Sequence, residues 1–344
     1  MLALHPSAND TVQSAVISLL PPDEKLKSLD VIKGGGFSNR VWTVLTDVHS
    51  YVFREPIQKM DPQQFDRVIQ IARITFCQGI GPRIVGVHNA SQQALIDRID
   101  ARPWPLYTET SIPYHNAMRA LRSFHEATQG LCSRQEQRTW PLHWIQDLTT
   151  LNADLIPTQM SEAIQKCSEI SRVLNPLLEQ RPRMCHGDFT KGNVLLTKDW
   201  KPMLVDFDSA GAGDPFFDVV KFSIALPART REELFKAYLG DRDPSLQEEA
   251  RYELMDLSLL MVVAKVRFGS AQKMLVTGSS SLSRQEMESM CSSVDPLPSF
   301  LSIPFSDQTV QARQTGAVYA LHEFLRRTRT SHFRDLLITV RSAN

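Results

Sequence analysis

At 344 residues the chain has room for two or three compact units of roughly 100–200 residues each, so it can bury a core without a disulfide staple. Its 38 basic residues equal its 38 acidic ones, with 22% of positions charged and 42% hydrophobic. That balance offers no basic field for a nucleic-acid backbone and is too apolar for a disordered chain. Cys77, Cys132, Cys167, Cys185 and Cys291 are scattered, odd in number and free of any C-x-x-C pair, so a zinc or redox site is not expected. They suggest reduced thiols in the cytoplasm. Met1 to Asp10 lacks a basic region ahead of an apolar stretch, and the run Leu254 to Val263 is broken by Asp256 and Ser258, so neither secretion nor a membrane partner is expected.

Taken in chain order, Asn9 or Asp10 can cap a short helix carrying Val12, Val16 and Leu19, stopped by Leu20-Pro21-Pro22. Leu29 to Ile32, Val41 to Leu45 and Tyr51 to Phe53 then predict three antiparallel strands, separated by Gly34-Gly35-Gly36 and by the turn Asp47-Val48-His49-Ser50. Asp61-Pro62 is an N-cap and first-turn pair, followed by Phe65, Val68, Ile69, Ala72 and Phe76 at helical spacing up to Gly79. Arg83 to Val87 and Ala94 to Ile99 complete a five-stranded α+β lobe over residues 1–100. After Arg102-Pro103-Trp104-Pro105 the pattern turns helical, with helices at about Pro113 to Ala127 and Gln159 to Leu178, so residues 101–344 form a second, mainly helical lobe with a hinge near residue 101. Two β-rich pieces interrupt it, Val194 to Leu196 and Met203 to Phe207. Thr277 to Ser283 and Asp295 to Pro304 have loop composition.

The chemistry concentrates in Cys185-His186-Gly187-Asp188-Phe189-Thr190-Lys191-Gly192-Asn193, which runs into an apolar strand. Asp206, in Leu204-Val205-Asp206-Phe207-Asp208, ends the next one. Asp188, Asn193 and Asp206 are expected to converge at one hairpin. One carboxylate to receive a hydroxyl proton, with an amide oxygen and a second carboxylate to hold magnesium on phosphates, suits phosphoryl transfer.

His-Gly-Asp-x-x-x-x-Asn followed by Asp-Phe-Asp resembles the aminoglycoside phosphotransferase and choline/ethanolamine kinase superfamily, small-molecule kinases with a protein-kinase-like fold. The resemblance implies ATP and Mg²⁺ as cofactors, Asp188 as catalytic base, His186 as the residue ordering its loop, and Asn193 and Asp206 as metal ligands. Ala210-Gly211-Ala212-Gly213-Asp214-Pro215-Phe216-Phe217-Asp218 is similar to the family's A-G-x-G-D-P-x-x-D stretch, where Asp218 would brace the loops. Gly34, Gly35, Gly36, Ser38 and Asn39 resemble the G-G-x-[ST]-N loop of choline and ethanolamine kinases and are assigned to the ATP phosphates, which glycines let backbone N–H groups approach closely. Arg54 stands where the family fold presents a phosphate-binding lysine, and a guanidinium can hold phosphate oxygens bidentately. The covering helix departs from the pattern: its turns carry Asp66, Arg67, Val68 and Gln70 and no glutamate to pair with Arg54, leaving Gln70 or Asp66 as substitutes or the pair absent.

Only residues 207–217 separate Asp206 from Asp218, too few to lay out a peptide, and Gly187 stands where protein kinases carry an arginine before the base. A small-molecule hydroxyl acceptor is therefore expected. An amino alcohol or an aminoglycoside would be met by carboxylates, Asp208 and Asp214 among them, and by aromatic faces such as Tyr238 and Tyr252. There is no tryptophan after Trp200, so the tryptophan-rich cage of eukaryotic choline kinases is not visible. The alternative is a catalytically weak nucleotide-sensing protein on the same scaffold.

Overall fold

The structure, a computed structural model, describes residues 6–32, 39–132, 152–180, 183–275, 281–292 and 309–342. Contacts divide the chain into two compact units, Met1–Leu131 with Thr190–Ala210, and Cys132–Phe189 with Gly211–Asn344.

The first unit opens with helix α1 (Pro6–Leu19), which starts earlier than the Asn9 or Asp10 cap expected from the sequence. Proline's missing N–H costs nothing in a first turn, so Pro6 extends the helix backwards. Strands β1 (Leu26–Val31), β2 (Asn39–Thr46), β3 (Ser50–Pro56), β4 (Ile84–His88) and β5 (Gln93–Asp97) form one antiparallel sheet in the order β1-β2-β3-β5-β4. The five expected strands are all present, with boundaries shifted by a few residues. Side chains alternate across a strand, so central β3 buries Tyr51 and Phe53 on one face, with Trp42, Val44, Leu95 and the α1 residue Val16. Fully burying a side chain of this kind contributes about 1.5–3 kcal/mol. Arg54, one residue on, belongs to the opposite face, where Ala94 packs with Phe65 and Ile69.

That second face is covered by α2 (Pro62–Cys77). The Asp61 carboxylate accepts hydrogen bonds from the backbone N–H groups of Gln63 (2.9 Å) and Gln64 (3.3 Å), and Pro62 takes the first turn. Asp61→Ala is expected to cost about 1 kcal/mol of stability, read as a lowered midpoint in urea at unchanged slope. The helix differs from its expected face in one respect: Phe76 is 45% exposed, and Ile71 and Thr75 are buried instead. Besides the sheet, α2 meets α3 (Ile112–Ala127) and the turn Phe207–Ser209, so its buried stripe is wider than one sheet alone would require.

The hairpin β7 (Val194–Leu196) and β8 (Pro202–Leu204) also belongs to the first unit. The strand expected to reach Phe207 stops at Leu204. Asp206 adopts a left-handed conformation (φ 63°, ψ 68°), and Phe207–Ser209 forms a 3₁₀ turn whose buried Phe207 ring stacks on Phe124 of α3. Asp is among the few side chains that tolerate this conformation.

The second unit contains α4 (Met160–Gln180), α5 (Pro215–Ser223), α6 (Ala228–Tyr238), α7 (Leu246–Leu275), α8 (Arg284–Cys291), α9 (Val310–Thr328) and α10 (Ser331–Arg341). It also holds a two-stranded pairing not expected from the sequence, β6 (Arg183–Cys185) with β9 (Gly211–Gly213). Gly-Ala-Gly has poor strand propensity, so only pairing across the fold makes it a strand. Among the described residues no helix is long and apolar enough to cross a membrane. None of the five cysteines is in a disulfide.

Candidate active site

The loop after β6 carries His186, Gly187 and Asp188, and its geometry is set from α5 in the same unit. Asp214 caps that helix, accepting from the Phe216 N–H at 2.9 Å, with Pro215 in the first turn. Asp218, one turn further and wholly buried, accepts from the backbone N–H of His186 (Oδ2, 2.7 Å) and of Gly187 (Oδ1, 2.9 Å). Gly187 sits at φ +75°, in the left-handed region that favours glycine, which orients both N–H groups towards one carboxylate. His186 is buried, and its Nδ1 accepts the Asp188 backbone N–H at 3.4 Å. Cys185, just before it, is fully buried near Asp218 and Asp214, and burial first and then these two charges hold its thiol far above the usual range, so it stays neutral.

The Asp188 carboxylate is 41% exposed, and its Oδ1 lies 2.7 Å from Nζ of Lys221, a residue of α5 that also donates to the Gly187 carbonyl at 2.9 Å. Lys221 was not singled out by the sequence reading. The available signal was its spacing: three residues after Asp218 on a helix, it shares that residue's face.

The hairpin supplies a separate group of residues within the first unit. Asn193 precedes β7, and its carbonyl accepts the Val205 N–H at 3.0 Å, which ties it to the residue before Asp206. Trp104 fixes this loop: its indole N–H is shared between the carbonyls of Lys191 (3.0 Å) and Val194 (2.9 Å), on either side of Asn193. Lys191 donates to the Tyr114 hydroxyl (2.9 Å), which donates to the Pro105 carbonyl (2.7 Å). Arg102 reinforces the same join, its N–H bonding Leu196 (2.8 Å) and its guanidinium lying 3.3 Å above the Trp200 ring. The hinge segment is thus bonded to the β7–β8 hairpin by side chains.

Beyond Asp206, Asp208 organises the Arg54 end. Arg54 forms an ion pair with Asp208 and stands 4.0 Å from Asp206. Asn39 is buried and donates its amide to the other oxygen of Asp208 at 2.8 Å, while Gln64 of α2 donates to the Asp208 carbonyl at 3.1 Å. The acidic partner of Arg54 comes from the turn after β8 and not from the covering helix, whose Asp66 and Gln70 are exposed. Asp206 retains 41% side-chain exposure. Gly34, Gly35, Gly36 and Ser38 lie outside the described residues.

Of the carboxylates expected to meet a cationic acceptor, Asp214 is otherwise engaged. Asp214 is wholly buried, its Oδ2 held by Arg251 at 2.8 Å, and the guanidinium of Arg251 lies 4.8 Å from the Phe216 ring. This carboxylate therefore meets protein on all sides, which makes it a structural post of α5. Asp256 is likewise buried, paired with Arg231 and Arg327.

The five-stranded antiparallel sheet and the helical region are those of a protein-kinase-like fold. The sequence profile of the phosphotransferase enzyme family matches residues 32–253, and the chain belongs to that family. No curated protein shows a significant sequence match to it. Among solved structures, the chain is similar to a choline/ethanolamine kinase family protein from Mesorhizobium loti, with 17% identity, a TM-score of 0.66, and 97% of this chain and 99% of that one covered. It is similar to a choline kinase from Cryptosporidium parvum at 11% identity, a TM-score of 0.58, and 96% and 98% coverage. It is also similar to amicoumacin kinase hAmiN, solved with AMP-PNP and Ca²⁺, at 14% identity, a TM-score of 0.56, and 78% and 89% coverage.

Proposed function

We propose that the chain is a cytoplasmic, ATP- and Mg²⁺-dependent O-phosphotransferase acting on a small-molecule hydroxyl, that of an amino alcohol related to choline or ethanolamine, or of an aminoglycoside. The observation that carries this reading is the braced, half-exposed Asp188 in a loop continuing directly to Asn193. In this reading Asp188 accepts the acceptor's hydroxyl proton as the new O–P bond forms and the bond from the γ-phosphorus to the bridging oxygen breaks, releasing ADP. His186 and Asp218 hold its loop. Arg54, Asn39 and the sequence-assigned glycines 34–36 with Ser38 are the residues given to the triphosphate, within a nucleotide-binding lobe taken as residues 1–100.

The donor set suits the metal: an amide oxygen from Asn193 and carboxylate oxygens from Asp206 are hard ligands of the kind Mg²⁺ takes alongside phosphates, and pairing of Arg54 with Asp208 leaves Asp206 with exposed surface for that task. Bound there, the cation would neutralise charge on the phosphates. Trp104→Phe, which removes the N–H shared by Lys191 and Val194, is expected to weaken Mg²⁺-dependent nucleotide binding about 5–10-fold, in line with roughly 1 kcal/mol per hydrogen bond, with binding in EDTA unchanged. Isothermal titration with and without Mg²⁺ reads both.

The test of the function is mass spectrometry of choline, ethanolamine, thiamine, homoserine, amino sugars and aminoglycosides after incubation with Mg-ATP, beside Asp188→Asn. A phosphorylated product absent from the control supports the reading. Stabilisation by nucleotide with no product from any acceptor supports the alternative, a nucleotide-sensing protein.

A further inference from the structure

One face of helix α5 grips three consecutive loop residues with two side chains of opposite charge. Asp218 takes the donors, the N–H groups of His186 and Gly187. Lys221, three residues later, takes the acceptors: the Gly187 carbonyl at 2.9 Å and Asp188 Oδ1 at 2.7 Å. The Gly187 residue is therefore held at both its N–H and its C=O from the same helix, and the side chain of the next residue is held as well.

We propose that Lys221 is a positioning residue for phosphoryl transfer, orienting the Asp188 carboxylate towards the acceptor hydroxyl. This rests on the reading of Asp188 as the base. A bond to the loop carbonyl alone would act on the backbone. The second bond, to Oδ1, acts on the carboxylate itself and helps hold the proton-accepting group in one orientation before the acceptor arrives. Lys221 is itself well placed for such a task, because its side chain is only 22% exposed and its ammonium lies 5.9 Å from the Phe217 ring, which restricts the flexible stem.

The charge also behaves usefully through the step. The hydroxyl proton passes to the Asp188 carboxylate as the O–P bond forms and ADP leaves, so Asp188 becomes neutral while the product gains a phosphate. An ammonium bonded to Asp188 is then left beside a neutral acid, near newly created negative charge. In a loose transition state the base is needed more for orientation than for strength, and orientation is what a fixed donor beside it supplies.

The experiment compares wild type, Lys221→Met and Lys221→Arg in steady-state transfer from Mg-ATP to whichever of the panel compounds named above the wild type phosphorylates, with melting curves alongside. Lys221→Met is expected to lower kcat about 10–100-fold, the size of loss produced by small misplacement of a reacting group. KM for ATP and for the acceptor should stay within about twofold, and Lys221→Arg, which keeps a cationic donor, should recover most of kcat. Wild-type kcat in Lys221→Met overturns the proposal while leaving Asp188 as the base. A loss that appears in KM, or that follows a lowered melting temperature and is not rescued by arginine, also overturns it in favour of plain packing. Product formation at the wild-type rate in Asp188→Asn overturns the base assignment first, and this proposal with it.

Discussion

Replacing Asp188 with asparagine is expected to lower phosphate transfer by about 10²–10⁴-fold, the range a positioned general base contributes, without unfolding the protein. The carboxamide keeps the shape of the carboxylate and can still accept from Lys221 through its oxygen, so the contact at 2.7 Å survives in weakened form. The position is 41% exposed, and Lys221 keeps its bond to the Gly187 carbonyl, so its ammonium retains a partner. What disappears is the capacity to take up the acceptor's proton. Steady-state kinetics should show the loss in kcat, and titration with nucleotide should give the wild-type dissociation constant. A variant with full turnover would require another base.

Asp218→Ala should have the largest effect on the folded state. Two backbone N–H groups, 2.7 and 2.9 Å from this wholly buried carboxylate, would lose their acceptor, at about 1–3 kcal/mol each. A total of about 2–6 kcal/mol is a large share of a typical domain's stability. Removing the carboxylate also releases Gly187 from its left-handed conformation, so Asp188 should lose its position even in molecules that remain folded. Chemical denaturation measures the first effect, and the residual transfer rate per folded molecule measures the second. Asp218→Asn, retaining one acceptor oxygen, should fall between wild type and alanine in both.

The elements legible in the sequence are those whose cause lies within a few residues. Asp61-Pro62 announces α2 because a cap bonds the N–H groups two and three positions on. Tyr51 and Phe53 read as part of one strand because a short β-prone run needs no partner to be visible. The segments that escaped have distant causes. Gly211–Gly213 is a strand only because Arg183–Cys185 lies against it, and Ile71 is buried because α2 has structure on more than its sheet side.

The site divides along the same line. Sequence alone pointed to the residues proposed to carry the chemistry, since His-Gly-Asp, Asn193 and Asp-Phe-Asp are contiguous motifs whose residue types have the capacity to accept protons and hold a hard cation. Only the tertiary structure decided their partners. Arg54 meets Asp208, 154 residues away, rather than an acid on the neighbouring helix. Trp104 meets the two carbonyls around Asn193, and Lys221 meets Asp188. Charges and hydrogen-bonding groups pair with whatever the packed backbone brings within about 3 Å, and that proximity is a property of the folded chain that no local pattern of residues records.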